Sequence, residues 1–505
     1  MRTQDDVQHI LHQAEVKVEN GQIVLSGRME WSLPLPRHDQ NLPHHLEQQV
    51  ETVGQALKRQ LFRLLLERAD ADAVLAARNG KEGQGIQSRG TRPYSFKTRF
   101  GTVMIKRRRV SQRSDQQMTV PSAQAWQTPP RQCITQGLRD EVCDAMRDLS
   151  VRHTHECLDA QAAEQDLVGD STIVGIVHEE GKQLLAAQRQ RAEDILRCYP
   201  EAAAQLLPET DSAADMAKED AEAAPVVEEV PPEEAWQAAV GFVGAPAAEA
   251  VAEDEARQVD KDSVLLQVDE VKTKAQAHCE VKAQFVYTGV LLVGDQRYYL
   301  AEATPQRLWQ QVAALLCLLG VCAGKRRLLL LADGAAWIRL WFEHIAVPGK
   351  CMILCWFHLA EKCYQRLSAA GCNKERRQAL EKEILGHLWE GRLDDALTVL
   401  SRCREEMRQP KFIDDLMQYL AKRRPYLPNY KQRQAAGLWI ASNRVEKWND
   451  WAVSQRCKHQ GMSWTDAGVM ALASLQAARY NNELEDWRRD RNLAPWSLES
   501  FPLAA

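Results

Sequence analysis

Two apolar runs in the second half of the chain each end on an aspartate, and no other feature constrains the fold as much. "SVLLQVDE" runs from Ser263 to Glu270 and reaches Asp269; "RRLLLLAD" stops on Asp333. Runs of this kind suit strands buried on both faces, which points to an α/β sheet covered by helices. A carboxylate at the end of such a strand is costly unless it meets solvent or a cation. Two readings of Asp333 stand. It N-caps the helix that opens at "GAAWI", or it converges with Asp269 if the two strands are neighbours. Two close carboxylates repel, and Mg2+ relieves that repulsion. A pair of such ions activates a hydroxyl and steadies a leaving oxygen in phosphodiester chemistry.

The surrounding pattern agrees with a sheet. "AQFVYTGVLLV" (283–293) and "RYYLAEA" (297–303) read as strands joined at Gly294-Asp295, and "PQRLWQQVAALLCLLGV" reads as a helix. After Asp333, "AAWIRLWFEHI" is a helix, and "KCMILCWFHLAEKCYQRL" begins as a strand and ends as a helix. Three strands followed by alternating helix and strand predict a mixed α/β sheet. Trp337, one turn after Asp333, reads as core or as a ring for a flipped base.

The front half has a different character. Residues 1–85 hold one amphipathic helix, with Leu57, Leu61, Leu64 and Leu65 at helical spacing. "RPYSFKTRFGTVMIKRRRV" (92–110) predicts a β-hairpin within a region spanning 86–130. Its expected outer face is cationic, with Lys97, Arg99, Lys106, Arg107, Arg108 and Arg109. That face suits phosphate contacts or a charged, protected sheet edge. Residues 131–206 predict three helices, the last capped at Asp170 or Ser171. They resemble a helix-turn-helix, which would put Ser171 and Thr172 in the major groove of double-stranded DNA, or else form a plain packing unit.

Charge separates the halves. The stretch from Glu209 to Asp260 carries 15 acidic and 2 basic residues, so the net charge of -5 masks a mildly basic body. This stretch is rich in Ala, Glu, Pro and Val. It predicts a disordered acidic linker over 207–262, in which Trp236 and Phe242 offer a short docking segment. The 13 cysteines include no C-x-x-C pair, so neither a zinc ribbon nor a disulfide framework is indicated. No apolar run reaches the roughly 20 residues that span a bilayer. A soluble, cytoplasmic protein with no membrane partner is expected.

Taken in order, Asp269, Asp333, "CWFH" (Cys355 to His358) and "SNRVEKWNDWAVSQRCKHQGMSW" resemble the Mutator-like superfamily of DDE transposases. The hairpin "FKTRFGTVMIKRRRV" is similar to one that precedes the catalytic domain in bacterial insertion-sequence members. The resemblance covers roughly 90–190 and 263–490 and leaves the acidic stretch outside. It implies an RNase H-like catalytic domain over 263–358 and 441–505, with an α-helical insertion over 359–440. By the same resemblance Asp269, Asp333 and Glu446 are the catalytic and metal-binding residues, with Mg2+ as cofactor and Mn2+ as its substitute. It implies binding of transposon ends and target DNA by a nucleoid-associated homodimer or larger synaptic assembly. Arg456 and Lys458 would clamp DNA phosphates near the cut. His358 reads as a contact to the scissile phosphate or a support for the sheet-to-helix junction, and Cys355 as a buried core thiol. A transposase-derived DNA-binding protein that has lost cleavage is the alternative, and a missing carboxylate would mark it.

Overall fold

The computed structural model describes residues 11–19, 22–30, 41–79, 86–112, 117–208, 232–243, 263–277, 279, 281–458 and 463–496. The chain divides into two compact units, Met1–Glu180 and Gly181–Ala505, with the division inside one long helix.

In the first unit, β1 (Leu11–Glu19) pairs antiparallel with β2 (Gln22–Met29). The long helix α1 (Leu42–Asn79) follows, then β3 (Ile86–Thr98) and β4 (Gly101–Gln112). These two strands form the expected hairpin, and Gly101 takes φ +106° where the chain reverses. The short strands β5 (Met118–Thr119) and β6 (Gln132–Ile134) complete a sheet in the order β5-β4-β3-β6, with α2 (Pro121–Ala125) between them in sequence. Buried Asp70 of α1 ties helix to sheet. It accepts from the Arg108 backbone N–H at 3.0 Å and from Ser122 Oγ, and it pairs with the Arg108 guanidinium at 3.1 Å.

Three helices follow: α3 (Gln136–Asp148), α4 (Val151–Ala162) and α5 (Asp170–Cys198). The third is a single rod of 29 residues rather than a short element. His155 of α4 sits among Asp159, Asp166 and Asp170, with Nδ1 2.9 Å from Asp170. The hydrogen bond to Asp170 raises its pKa above 6.5; desolvation opposes this and the other two aspartates add to it. A raised histidine adds stability that is full below its unfolded value and disappears as pH rises through its folded value. The stability lost in His155→Gln is therefore expected to be largest in thermal scans below about pH 6 and to vanish in mildly alkaline buffer. A loss of equal size at both ends would refute the linkage.

In the second unit, α6 (Pro200–Leu206) and α7 (Pro232–Val243) precede a five-stranded sheet. The strands are β7 (Ser263–Lys274), β8 (Ala283–Val293), β9 (Gln296–Glu302), β10 (Arg327–Ala332) and β11 (Cys351–Leu354), in the order β11-β10-β7-β8-β9. β7, β8 and β9 form an antiparallel meander, while β10 and β11 run parallel to β7. Continuous apolar sequence in β7 and β10 matches this placement, since these strands lie inside the sheet. α8 (Pro305–Leu318) and α9 (Ala336–His344) share the core with it, and the Trp309 and Trp341 rings stack at 3.9 Å.

Beyond β11 the chain is helical: α10 (Trp356–Ala370), α11 (Lys374–Trp389), α12 (Leu393–Cys403), α13 (Lys411–Lys422) and α14 (Tyr430–Ala435). It returns to the sheet as α15 (Asn443–Asn449), continues through a π turn (Asp450–Ser454) into α16 (Gln455–Cys457), and ends with α17 (Asp466–Tyr480) and α18 (Leu484–Asp490).

The expected linker carries ordered structure in its middle. Ala239 of α7 is fully buried and its carbonyl accepts from Trp356 Nε1 at 3.2 Å. The Phe242 ring lies 5.8 Å from Trp356 and 6.1 Å from Trp389. The Trp236 side chain and the flanking stretches 209–231 and 244–262 lie outside the described residues.

Candidate active site

β7 and β10 run side by side, with Gln267 opposite Leu331. Two residues further along stand Asp269 and Asp333. Asp333 lies just past the end of β10, but β7 does not end on Asp269 as expected; it runs on to Lys274, paired with β8. Strand register brings the two carboxylates to neighbouring positions. Gln267 shares a face with Asp269 because side chains alternate along a strand. Its amide oxygen accepts from the Arg444 and Val445 backbone N–H groups at 3.0 and 3.1 Å, and its amide nitrogen donates to Ala441 O. The first N–H groups of a helix have no partner within the helix, so this strand side chain caps α15 and fixes where it starts. Glu446 follows within the first turn.

Asn449, one turn beyond Glu446, completes the link. Its amide nitrogen donates to Asp269 Oδ2 at 2.6 Å, and its oxygen accepts from Thr288 Oγ1 of the adjacent strand. Asp269 Oδ1 accepts from the Glu270 N–H at 2.8 Å, while the Glu270 side chain is exposed on the other face. Burial, then the negative charges of Glu446 and Asp333, hold the Asp269 carboxyl well above the usual range. The Glu270 N–H and the nearby His358 only partly offset this. The charges of Glu446 and Asp333 thus both bear on Asp269.

Asp333 does not N-cap the helix that follows it. The N-cap of α9 is Ala335, with no side-chain cap. Asp333 Oδ1 accepts from the Ala335 N–H at 2.9 Å, which closes a turn before the helix and does not cap it. Gly334 adopts φ +82°, and a Cβ there would lie 2.7 Å from Leu354 Cδ1. The turn that presents Asp333 therefore depends on a glycine.

His358 lies on the first turn of α10, and its Nε2 is 3.2 Å from Glu446 Oε1. Burial disfavours the imidazolium, but the Cys355 sulfur and Glu446 raise the His358 pKa well above the ordinary value. Cys355 is buried and accepts from the Ser442 N–H at 3.4 Å, so it joins the β11–α10 junction to the start of α15. Hard oxygen donors, a partly open Glu446 and mutual repulsion fit a divalent cation such as Mg2+ or Mn2+.

Other expected residues stand apart from this cluster. Trp337 is 4% exposed, with its ring 5.2 Å from both Tyr287 and Trp309, so it belongs to the core and offers no ring to a base. Arg456 was expected on the surface but is buried, with its guanidinium 4.9 Å from the Trp464 ring. It follows the inward phase of its helix, whereas Lys458 is exposed. In the first unit Lys106 and Arg108 are exposed, Arg109 is half-buried, and Arg107 is 2% exposed. Four consecutive cations cannot all face outward on a strand of period two. Arg107 shares the parity of Val103 and Ile105 and stacks 3.7 Å over the Tyr94 ring. Ser171 is exposed and Thr172 half-buried at the start of α5.

His155, Asp159 and Asp166 also hold their ligand atoms within 4.8 Å of one another. Asp159 is already engaged by the Asp166 and Leu167 N–H groups, and the aspartates are balanced by His155. That cluster holds a loop together. Among the described residues no helix is long and apolar enough to cross a membrane. No protein-family model matches the chain, and no curated protein sequence matches it.

Proposed function

We propose that the chain is a DDE-type transposase of the Mutator-like kind, which binds the terminal inverted repeats of an element and catalyses metal-dependent DNA cleavage and strand transfer. The observation that carries this reading is the convergence of Asp269, Asp333 and Glu446 from two adjacent parallel strands and one helix. The strand order supports an RNase H-like assignment: an antiparallel meander, β7-β8-β9, continued beyond β7 by two parallel strands, β10 and then β11. The run of helices between β11 and α15 agrees with an insertion ahead of the third carboxylate.

The three carboxylates are the residues that would hold Mg2+ or Mn2+. The metal supplies activation of the attacking hydroxyl and stabilisation of the leaving oxygen. The remaining work belongs to the chain. Asn449 and the Glu270 N–H fix the Asp269 carboxyl, the turn at Gly334 fixes Asp333, and Gln267 fixes the helix of Glu446. His358, its Nε2 3.2 Å from Glu446 Oε1, would meet an anionic phosphate oxygen. In the first unit the exposed Lys106, Arg108 and Ser171 are candidate DNA contacts. All three carboxylates are present, so the catalytically silent alternative gains no support.

The test uses the full chain and a labelled duplex that carries the ends of its own element. With Mg2+ or Mn2+, one strand at the element end is expected to be cut to leave a 3′-hydroxyl, with no cut in EDTA. The chain should also bind Mn2+ in a paramagnetic resonance titration. Retained binding to the ends with neither cleavage nor Mn2+ uptake would favour the non-cleaving DNA-binding protein.

A further inference from the structure

α10 and α13 pack together and face each other with two stripes at four-residue spacing. On α10 the stripe is His358, Lys362 and Arg366; on α13 it is Asp415, Tyr419 and, at the C-cap, Arg423. Residues four apart stand on one face of a helix. At the far end, Arg366 Nη1 lies 3.4 Å from Asp415 Oδ2. In the middle, Lys362 Nζ is 5.6 Å from the centre of the Tyr419 ring, and Arg423 covers the same ring at 3.8 Å. At the near end the seam opens on the carboxylates. His358 meets Glu446, and Arg423 Nη2 donates to the carbonyl of Gly334, next to Asp333, at 2.9 Å.

The seam has more positive charge than its own residues neutralise. Asp415 serves Arg366, whereas among the described residues Lys362 has no hydrogen bond or ion pair. Arg423 Nε is buried and has no partner either. Burial, then the charges of Arg366 and Arg423, push the Lys362 ammonium below the ordinary lysine value, with Asp333 pulling the other way. Holding unpaired cations together in a half-buried seam is unfavourable. An anion that enters from the carboxylate end would relieve it.

We propose that this seam is a phosphate seat, in which Lys362 and Arg423 hold a backbone phosphate of the DNA strand that carries the scissile bond. Its DNA identity rests on the function proposed above; the anion site itself does not. The seat lies beside the three carboxylates, so it would register the strand in the site. It reads no base, because phosphate contacts position a duplex without carrying sequence.

Two measurements on the full chain test this. The first is thermal unfolding without metal, in rising inorganic phosphate at constant ionic strength. Wild type is expected to gain about 2 °C more than Lys362→Met, and Lys362→Arg to keep the gain. Equal gains in wild type and Lys362→Met overturn the seat. The second is cleavage of duplexes with one methylphosphonate placed at successive positions beside the scissile bond. One position is expected to slow wild type about tenfold and to leave Lys362→Met, already slowed about tenfold on ordinary DNA, no slower. Losses that add at every position overturn the DNA assignment even if phosphate binds. If wild type cuts no duplex, the proposed function falls and the phosphate titration alone decides the seat.

Discussion

Asp333→Ala is expected to lower strand cleavage by about 10³-fold or more while DNA binding persists. The size follows from removing one of three carboxylates in a site whose other two, Asp269 and Glu446, cannot shift to replace it. Gln267 pins the helix of Glu446, and Asn449 pins Asp269. The fold should survive, because among the described residues Asp333 contributes one hydrogen bond, to the Ala335 N–H, worth about 1 kcal/mol. Its loss also removes one of the charges that burden Asp269. Asp333→Asn sharpens the test, since the amide oxygen can still accept from Ala335. An Asn variant that cuts at the wild-type rate would make Asp333 a turn residue and end its assignment to the site.

Arg189→Met is expected to destabilise the second unit by about 3–5 kcal/mol, read by urea denaturation. Glu302 ends β9 fully buried. Arg189 grips it with Nε at 3.0 Å and Nη2 at 2.6 Å, and Gln311 adds an amide at 2.8 Å. Removing the arginine strands a buried carboxylate with two neutral donors, the Gln311 amide and the Ala303 N–H. The double variant Arg189→Met with Glu302→Leu removes both charges and should recover much of the loss, because the cost lies in the unpaired charge. A single variant that loses less than about 1 kcal/mol would show that water reaches Glu302 and that the pair resembles an exposed one.

The strands of the second unit were legible because apolar composition and burial on both faces are the same fact stated twice. The nearness of Asp269 and Asp333 was legible because each follows an apolar run of similar length and the two runs pair in parallel, although β7 runs on to Lys274 and does not end on Asp269. Gln267 and Asn449 were harder to see. A lone glutamine inside "VLLQVD" was the available sign, since an apolar strand keeps an amide only where something must bond it. Asn449 was visible as the residue one turn after Glu446. Arg107 and Arg456 were misread by taking cationic runs as surfaces and ignoring the parity of a strand and the phase of a helix. The antiparallel pair β1–β2 was missed although Val16, Val18, Ile23 and Leu25 alternate around Asn20-Gly21, a strong hairpin signal. The Lys362–Arg423 seam was not legible at all, because it depends on how two helices far apart in sequence face each other.

Helix α7 changes what the acidic stretch is to an engineer of this chain. Its buried Ala239, the Phe242 ring between Trp356 and Trp389, and the Val243 carbonyl bonded by Gln434 make it a wall of the helical layer. The acidic stretch therefore contains an anchored segment, 232–243. Excising everything from 209 to 260 would strip a covering from the tryptophans behind His358 and mix the loss of charge with a damaged interior. A shortening that spares 232–243 separates the two, and charge-neutral replacements outside 232–243 separate them better still.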